Sequence, residues 1–163
     1  MVSKGLLLAT VCLMLLATVC FMLLAASPSQ KDRPPLYDPS ADSFADLEEA
    51  IVEAQGTGRR ILLTVGGNWC GWCYSLHEYI EANEDVHSLL EQSFVPLKIN
   101  MDQENPNEQF LSQYPNIGGY PHLFVLDSDG TFLHSQSTGP LEEGRSYDKA
   151  KLMGFLKDWG PGQ

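Results

Sequence analysis

Positive charge is scarce in this chain: ten Lys and Arg stand against 21 Asp and Glu, for a formal net charge of −11. A surface this acidic repels phosphate backbones and anionic lipid heads, which argues against nucleic-acid binding. Cysteine is scarce too. Of the four, Cys12 and Cys20 lie in an apolar N-terminal run, so Cys70 and Cys73 alone are left for a folded domain. A bridge between two such close cysteines closes almost no loop and adds little stability through chain entropy, which leaves redox or metal chemistry to explain the pair. No second CxxC is present to complete a four-thiolate metal site, and Tyr74 follows Cys73 where haem attachment requires His. At 163 residues the chain has room for one domain with a proper core.

What is present begins with an address. Lys4 precedes an uncharged, mostly apolar run of 22 residues, Gly5 to Ala26, followed by small residues and Pro28. Residues 1–29 are expected to be a signal peptide or a membrane anchor, and residues 5–26 are long enough to cross a bilayer of ~30 Å hydrocarbon. Leu7-Leu8-Ala9-Thr10-Val11-Cys12 recurs as Leu15-Leu16-Ala17-Thr18-Val19-Cys20, and without one copy 14 apolar residues would remain, a usual signal core. Cleavage after Ser29 suits the small-residue rule, and a retained anchor stays open beside it. Both place the domain outside the cytoplasm, periplasmic or secreted, where disulfide chemistry is at home.

Pro28, Pro34, Pro35 and Pro39 with three nearby charges make residues 30–42 an expected Pro-rich tether, ahead of a domain spanning 43–163. Ser43 is expected to cap a helix carrying Phe44, Leu47, Ile51 and Ala54 on one face and ending at Gly56 and Gly58. Ile61 to Val65 is a continuous apolar run, as in a buried central strand. A helix should begin at the cysteines and run to about Glu81, with Asn83 capping a second piece through Val86, Leu89 and Leu90. Strands are expected at Phe94–Ile99, His122–Leu126 and Thr131–His134, the last two joined by an Asp127–Gly130 turn. A short helix over Asn107–Tyr114 and an amphipathic one over Tyr147–Trp159, burying Leu152, Phe155, Leu156 and Trp159, complete the set. The order α-β-α-β-α-β-β-α implies a mixed sheet with helices on both faces.

Chemistry concentrates at Trp69-Cys70-Gly71-Trp72-Cys73. A cysteine just after a strand, in the first turn of a helix, has its thiolate stabilised by unpaired backbone N–H groups and the helix dipole. Cys73, one turn on, is placed to attack a mixed disulfide formed at Cys70, which is the cycle of disulfide exchange. Cys73 is expected to be the more buried of the two. Trp69 and Trp72 flank the pair as an apolar platform for unfolded substrates, with Trp72 expected to be the exposed one.

The strand Ile61–Val65 running into this motif, with Ile117-Gly118-Gly119-Tyr120-Pro121 further on, resembles the thioredoxin superfamily over about residues 43–159. Asn83-Glu84-Asp85-Val86 leading into Phe94–Lys98 is similar to small exported thioredoxin-like proteins and to the C-terminal domain of the periplasmic disulfide-interchange reductase. The resemblance implies an α/β thioredoxin-like fold with a mixed central sheet, and thiol–disulfide oxidoreductase activity carried by Cys70 and Cys73. It implies a cis Pro121 whose neighbouring backbone pairs with an extended substrate, Trp69, Gly71, Trp72 and Tyr120 joining it at the substrate surface. The expected partners are protein thiols and disulfides and an electron-donor or electron-acceptor protein. No cofactor is expected.

The chain departs from the family pattern as well. Thr64 stands where thioredoxins carry a buried Asp that helps deprotonate the resolving cysteine, so that general base is missing. Glu78 replaces the usual helix-kinking proline and is a candidate substitute base. Gly71-Trp72 between the cysteines leaves the redox direction open among reduction, oxidation and isomerisation, and His122 after the proline reads as a polar strand-end residue. Two other functions stay open at this level: a binding or chaperone module with little turnover, and a metal site in which His77 joins the two cysteines on one helical face.

Overall fold

A computed structural model describes residues 33–162 of the chain. The leader or anchor expected over residues 1–29 lies outside the described residues. Among those described, no helix is long and apolar enough to cross a membrane.

The first helix, α1 (Ser43–Thr57), starts at the residue expected to cap it, one position earlier than that cap implies. Asp42, not Ser43, is the N-cap: its carboxylate accepts from the N–H groups of Phe44 and Ala45, while Ser43 is buried. A carboxylate at this position also meets the positive end of the helix dipole. Gly58 closes the helix in the left-handed region, φ 71°, which costs glycine nothing sterically.

Strand β1 (Arg60–Gly66) leads into α2 (Gly71–Ala82) and α3 (Glu84–Ser93), then β2 (Phe94–Asn100). Asn83 separates the two helices as expected, yet its side-chain amide donates back to the Tyr79 carbonyl at 2.7 Å and does not cap α3. The short helix α4 keeps only Glu108–Leu111 of its expected span. Strands β3 (His122–Leu126) and β4 (Phe132–Ser137) follow. A 3-10 turn at Gly139–Leu141 and a small hairpin, β5 (Glu142–Glu143) with β6 (Ser146–Tyr147), were not legible in the sequence. The hairpin takes Tyr147 from the start of the final helix, which is α5 (Lys149–Asp158) with Asp148 as its N-cap.

The sheet runs β2-β1-β3-β4, with β1 parallel to β2 and antiparallel to β3. Side chains alternate across it with the two-residue strand period. Leu62, Leu123 and Val125 pack with Leu76, Val86 and Phe155 of α2, α3 and α5. Ile61, Leu63, Val65 and Phe124 pack with Ala50 and Ala54 of α1 and Phe110 of α4 on the other face. Burial on both faces explains why β1 and β3 read as continuous apolar runs. Pro96 and Lys98 are exposed on β2, an edge strand, where a missing N–H is tolerated.

The stretch expected as a tether is not one from Pro34 onward. The compact unit begins at that residue, and Tyr37 is only 3% exposed. The side chain of Asn68 holds it: Oδ1 accepts from the N–H groups of Leu36 (2.8 Å) and Tyr37 (3.0 Å), and Nδ2 donates to the Tyr37 carbonyl (2.8 Å). The Tyr74 hydroxyl donates to the Pro34 carbonyl at 3.1 Å. Proline density signals missing N–H donors and extended backbone, and such backbone is free to dock where a side chain satisfies it.

Candidate active site

The site forms where β1 ends. Gly66 gives room there: a Cβ at this position would overlap Cys73 Sγ and lie 2.6 Å from the Tyr37 hydroxyl oxygen. A Cβ on Gly67 would lie 2.5 Å from Trp69 Nε1. The apolar strand therefore has to stop in small residues for the redox pair and its cover to fit against it.

Cys70 and Cys73 are joined by a disulfide with an S–S distance of 2.07 Å. Cys70 is the N-cap of α2, and its sulfur accepts the Cys73 N–H at 3.1 Å. That donor, with the positive end of the helix behind it, would stabilise a thiolate at Cys70 once the bond is reduced. The expected difference in burial is absent: both cysteines are 3% exposed. Tyr37 packs directly with them, and Leu36, Trp72 and Tyr120 pack around the three. Residues from outside the motif supply this cover, so spacing alone gave no sign of it.

The two tryptophans exchange the places expected of them. Trp69 is the exposed one, at 52%, with its indole N–H donating to the Met101 carbonyl at 2.9 Å and its ring edge-on to Tyr120, centroids 5.4 Å apart. Trp72 is half-buried, its ring edge-on to Tyr147 at 5.9 Å. The β5–β6 hairpin that places Tyr147 also turns Trp72 inward. Trp69 and Tyr120 line an open groove with Pro39, Asn68, Met101 and Pro106. The Tyr120–Pro121 peptide is cis, and the Pro121 carbonyl accepts from the Thr138 hydroxyl at 3.0 Å. Gly71 is exposed at the first position of α2.

Under Cys73 lies a cavity of about 140 Å³ whose lining includes Tyr37, Thr64, His77, Glu81 and Lys98. Thr64 is half-buried there, and Glu78 is exposed and not part of the lining. The idea that Glu78 substitutes for the missing Asp is therefore not supported by position: on the helix it faces solvent. His77 makes no set with the cysteines: among the described residues no group of three or more His, Cys, Asp or Glu is gathered to hold a metal. His122 is more than a strand-end polar residue. It is 4% exposed, its Nε2 is 2.8 Å from Ser135 Oγ, and its Nδ1 has no partner. Burial, and then the neighbouring His134, push its pKa below the usual imidazole value.

Residues 42–128 match the family model described as thioredoxin-like. The thiol:disulfide interchange protein DsbD of Actinobacillus pleuropneumoniae is 28% identical over 101 residues, covering 61% of this chain and 17% of that protein. This chain thus spans less than a fifth of the curated relatives it matches first. A disulphide isomerase from Xylella fastidiosa Temecula1 superposes with a TM-score of 0.66 at 25% identity, over 77% of this chain and 96% of that one. The oxidised C-terminal domain of Neisseria meningitidis DsbD shares the fold at a TM-score of 0.55 and 19% identity, over 73% of this chain and 97% of that one.

Proposed function

Since this chain belongs to the thioredoxin-like family and is a thiol–disulfide oxidoreductase by its Cys70–Cys73 pair, we propose that it exchanges disulfides with exported proteins, Cys70 attacking and Cys73 resolving. One observation carries the assignment of roles: Cys70 caps α2 and receives the Cys73 N–H, so negative charge is better accommodated on Cys70.

In the reducing direction the Cys70 thiolate attacks a client disulfide, forming a Cys70–client S–S bond and releasing one client thiolate. The Cys73 thiol then loses its proton to water, and its thiolate attacks Cys70. The Cys70–Cys73 bond forms, the second client sulfur leaves and takes a proton, and two electrons have passed to the client. A separate electron-donor protein restores the dithiol. The oxidising direction runs the same steps backwards, with an acceptor protein in its place.

The client segment lies along Trp69, Gly71, Tyr120 and Pro121, where an exposed indole and an aromatic pair offer apolar contact around the disulfide. Trp72 supports this surface from beneath. The apolar run at residues 5–26 supports export, to a periplasm or beyond, with a membrane tether if it is retained.

Cys73→Ser tests the reading, since resolution needs the second thiol. The variant should accumulate mixed disulfides with client proteins through Cys70. Capture no greater than that by a Cys70→Ser control would exclude disulfide exchange as the function.

A further inference from the structure

The missing carboxylate at Thr64 leaves open what prepares Cys73 for its attack. The charged groups of the cavity stand away from the sulfur. His77 is one helical turn along α2 from Cys73 and Glu81 two, roughly 6 and 12 Å along the axis. The Glu81 carboxylate sits between His77 Nδ1 (4.0 Å) and His87 Nε2 (3.5 Å), and all three side chains are at least a third exposed. Glu91 and Lys98, from α3 and β2, complete the titratable lining and are also exposed. At the buried end, one polar group faces the sulfur from outside the sheet and helices. The Tyr37 hydroxyl and Cys73 Sγ flank the same point, the space a Gly66 Cβ would fill.

The geometry points to Tyr37 as the hydrogen-bond donor that stabilises the Cys73 thiolate, a role assembled from the segment ahead of α1 rather than from the sheet. Asn68, two residues before Cys70, fixes the Tyr37 backbone on both its N–H and its carbonyl, so the motif loop that carries the cysteines also sets the phenol. Burial, with Tyr147 and Tyr74 nearby, holds the Tyr37 phenol well above its ordinary pKa. It therefore keeps its proton while Cys73 loses its own, and acts as a donor rather than a base. In the disulfide the sulfur is a weak acceptor. On reduction or in the mixed disulfide, Cys73 ionises to water, the phenol O–H turns onto the thiolate, and that bond is given up as Cys73 joins Cys70.

This rests on the resolving role given to Cys73 above, and it has a signature of its own. A charge-assisted hydrogen bond of this kind is worth about one pKa unit on the thiol. Losing it cuts the thiolate fraction about tenfold near neutral pH but raises the nucleophilicity of what remains about threefold. Tyr37→Phe should therefore slow resolution about threefold at pH 7 and speed it about threefold above both thiol midpoints. Loss of packing alone would not produce that crossover.

The test is the 240 nm thiolate titration of Cys73 as the sole thiol of full-length protein carrying Cys12→Ser, Cys20→Ser and Cys70→Ser, with and without Tyr37→Phe, alongside resolution rates of a model mixed disulfide in the Cys70-intact pair over pH. The expected result is a Cys73 midpoint about one unit higher in Tyr37→Phe, with the rate crossover. An unchanged midpoint in folded Tyr37→Phe overturns the proposal. If Tyr37→Phe does not fold, Asn68→Ala, which frees the Tyr37 backbone but keeps the phenol, must raise the midpoint, and an unmoved midpoint there overturns it equally. The titration contains no client, so its failure is separate from a failure to trap clients.

Discussion

Asn68 and Tyr37 are locked together by a reciprocal pair of hydrogen bonds, the Asn68 side chain accepting the Tyr37 N–H at 3.0 Å and donating to the Tyr37 carbonyl at 2.8 Å. Thirty-one residues separate them, so the contact ties the start of the folded unit to the loop that presents the cysteines. With the Leu36 N–H on the same oxygen, three backbone groups depend on one side chain. Asn68→Ala should cost about 1–3 kcal/mol, because it strands partly buried donors and an acceptor together. Urea unfolding of oxidised protein measures it, and a midpoint equal to that of the unaltered protein would show the grip to be energetically idle.

Gly66→Ala should destabilise more than an ordinary strand substitution, by about 1–3 kcal/mol. The added methyl would overlap Cys73 Sγ and crowd the Tyr37 hydroxyl, and the disulfide cannot move aside. Adding Tyr37→Phe should relieve part of that cost, a coupling that a double-mutant cycle reads directly. Strict additivity would mean that the phenol and the residue-66 site do not share the space.

Reduced protein should be alkylated first at Cys70, with a midpoint below the ~8.5 of a free cysteine. The cause is its place at the cap of α2, where it receives the Cys73 N–H. Peptide mapping after iodoacetamide treatment over a pH series checks the order. Since both cysteines are buried to the same extent as residues, overall burial does not supply the preference. Modification of Cys73 first would reverse the assigned roles.

Stability should fall on acidification through the histidine range. Burial depresses the His122 pKa, so between its folded value and ~6.5 the unfolded chain binds the extra proton. The contribution of neutral His122 is therefore complete above the unfolded value and is lost progressively below it. His122→Phe should flatten that part of the pH–stability curve while giving up the bond to Ser135. Parallel curves for the two proteins between pH 5 and 7.5 would locate the dependence elsewhere.

Thr64→Asp should lower stability and speed resolution of the mixed disulfide near neutral pH. The new carboxylate would enter the cavity beneath Cys73 and could accept its proton, while burial raises its own pKa. Stopped-flow reduction of a model disulfide decides it. An unchanged rate in a folded variant means that proton removal from Cys73 does not limit turnover.

The parts of the fold that rest on local pattern were legible. β1 and β3 announce themselves as unbroken apolar runs because both their faces are covered, and the strand-to-helix passage into Cys70 follows from Val65, Gly66 and Gly67. What could not be read depends on partners distant in sequence. Pro34 to Tyr37 has the composition of a linker, and hydrogen bonds from Asn68 and Tyr74 together with packing on the cysteines make it part of the fold. The inward turn of Trp72 depends on Tyr147, 75 positions away, in a hairpin too short to leave a periodic signal. Asp42 and Ser43 are equally good capping residues by type, and only the folded backbone, extended at Asp42 and helical from Ser43, separates them. Thr64, by contrast, was visible as a departure from the family pattern, and the cavity it lines is where that departure has its effect.

The match to the family begins at residue 42, after Tyr37. A recombinant domain trimmed to that boundary would keep the sheet, the helices and both cysteines and would discard the residue packed directly on the disulfide. Such a fragment would be a different reagent from the native protein: its disulfide stripped of Leu36 and Tyr37, Asn68 without its backbone ligands, and a measured potential belonging to the truncation. Homology draws the edge of a fold where shared sequence ends, and here the working edge of the active site lies five residues further out.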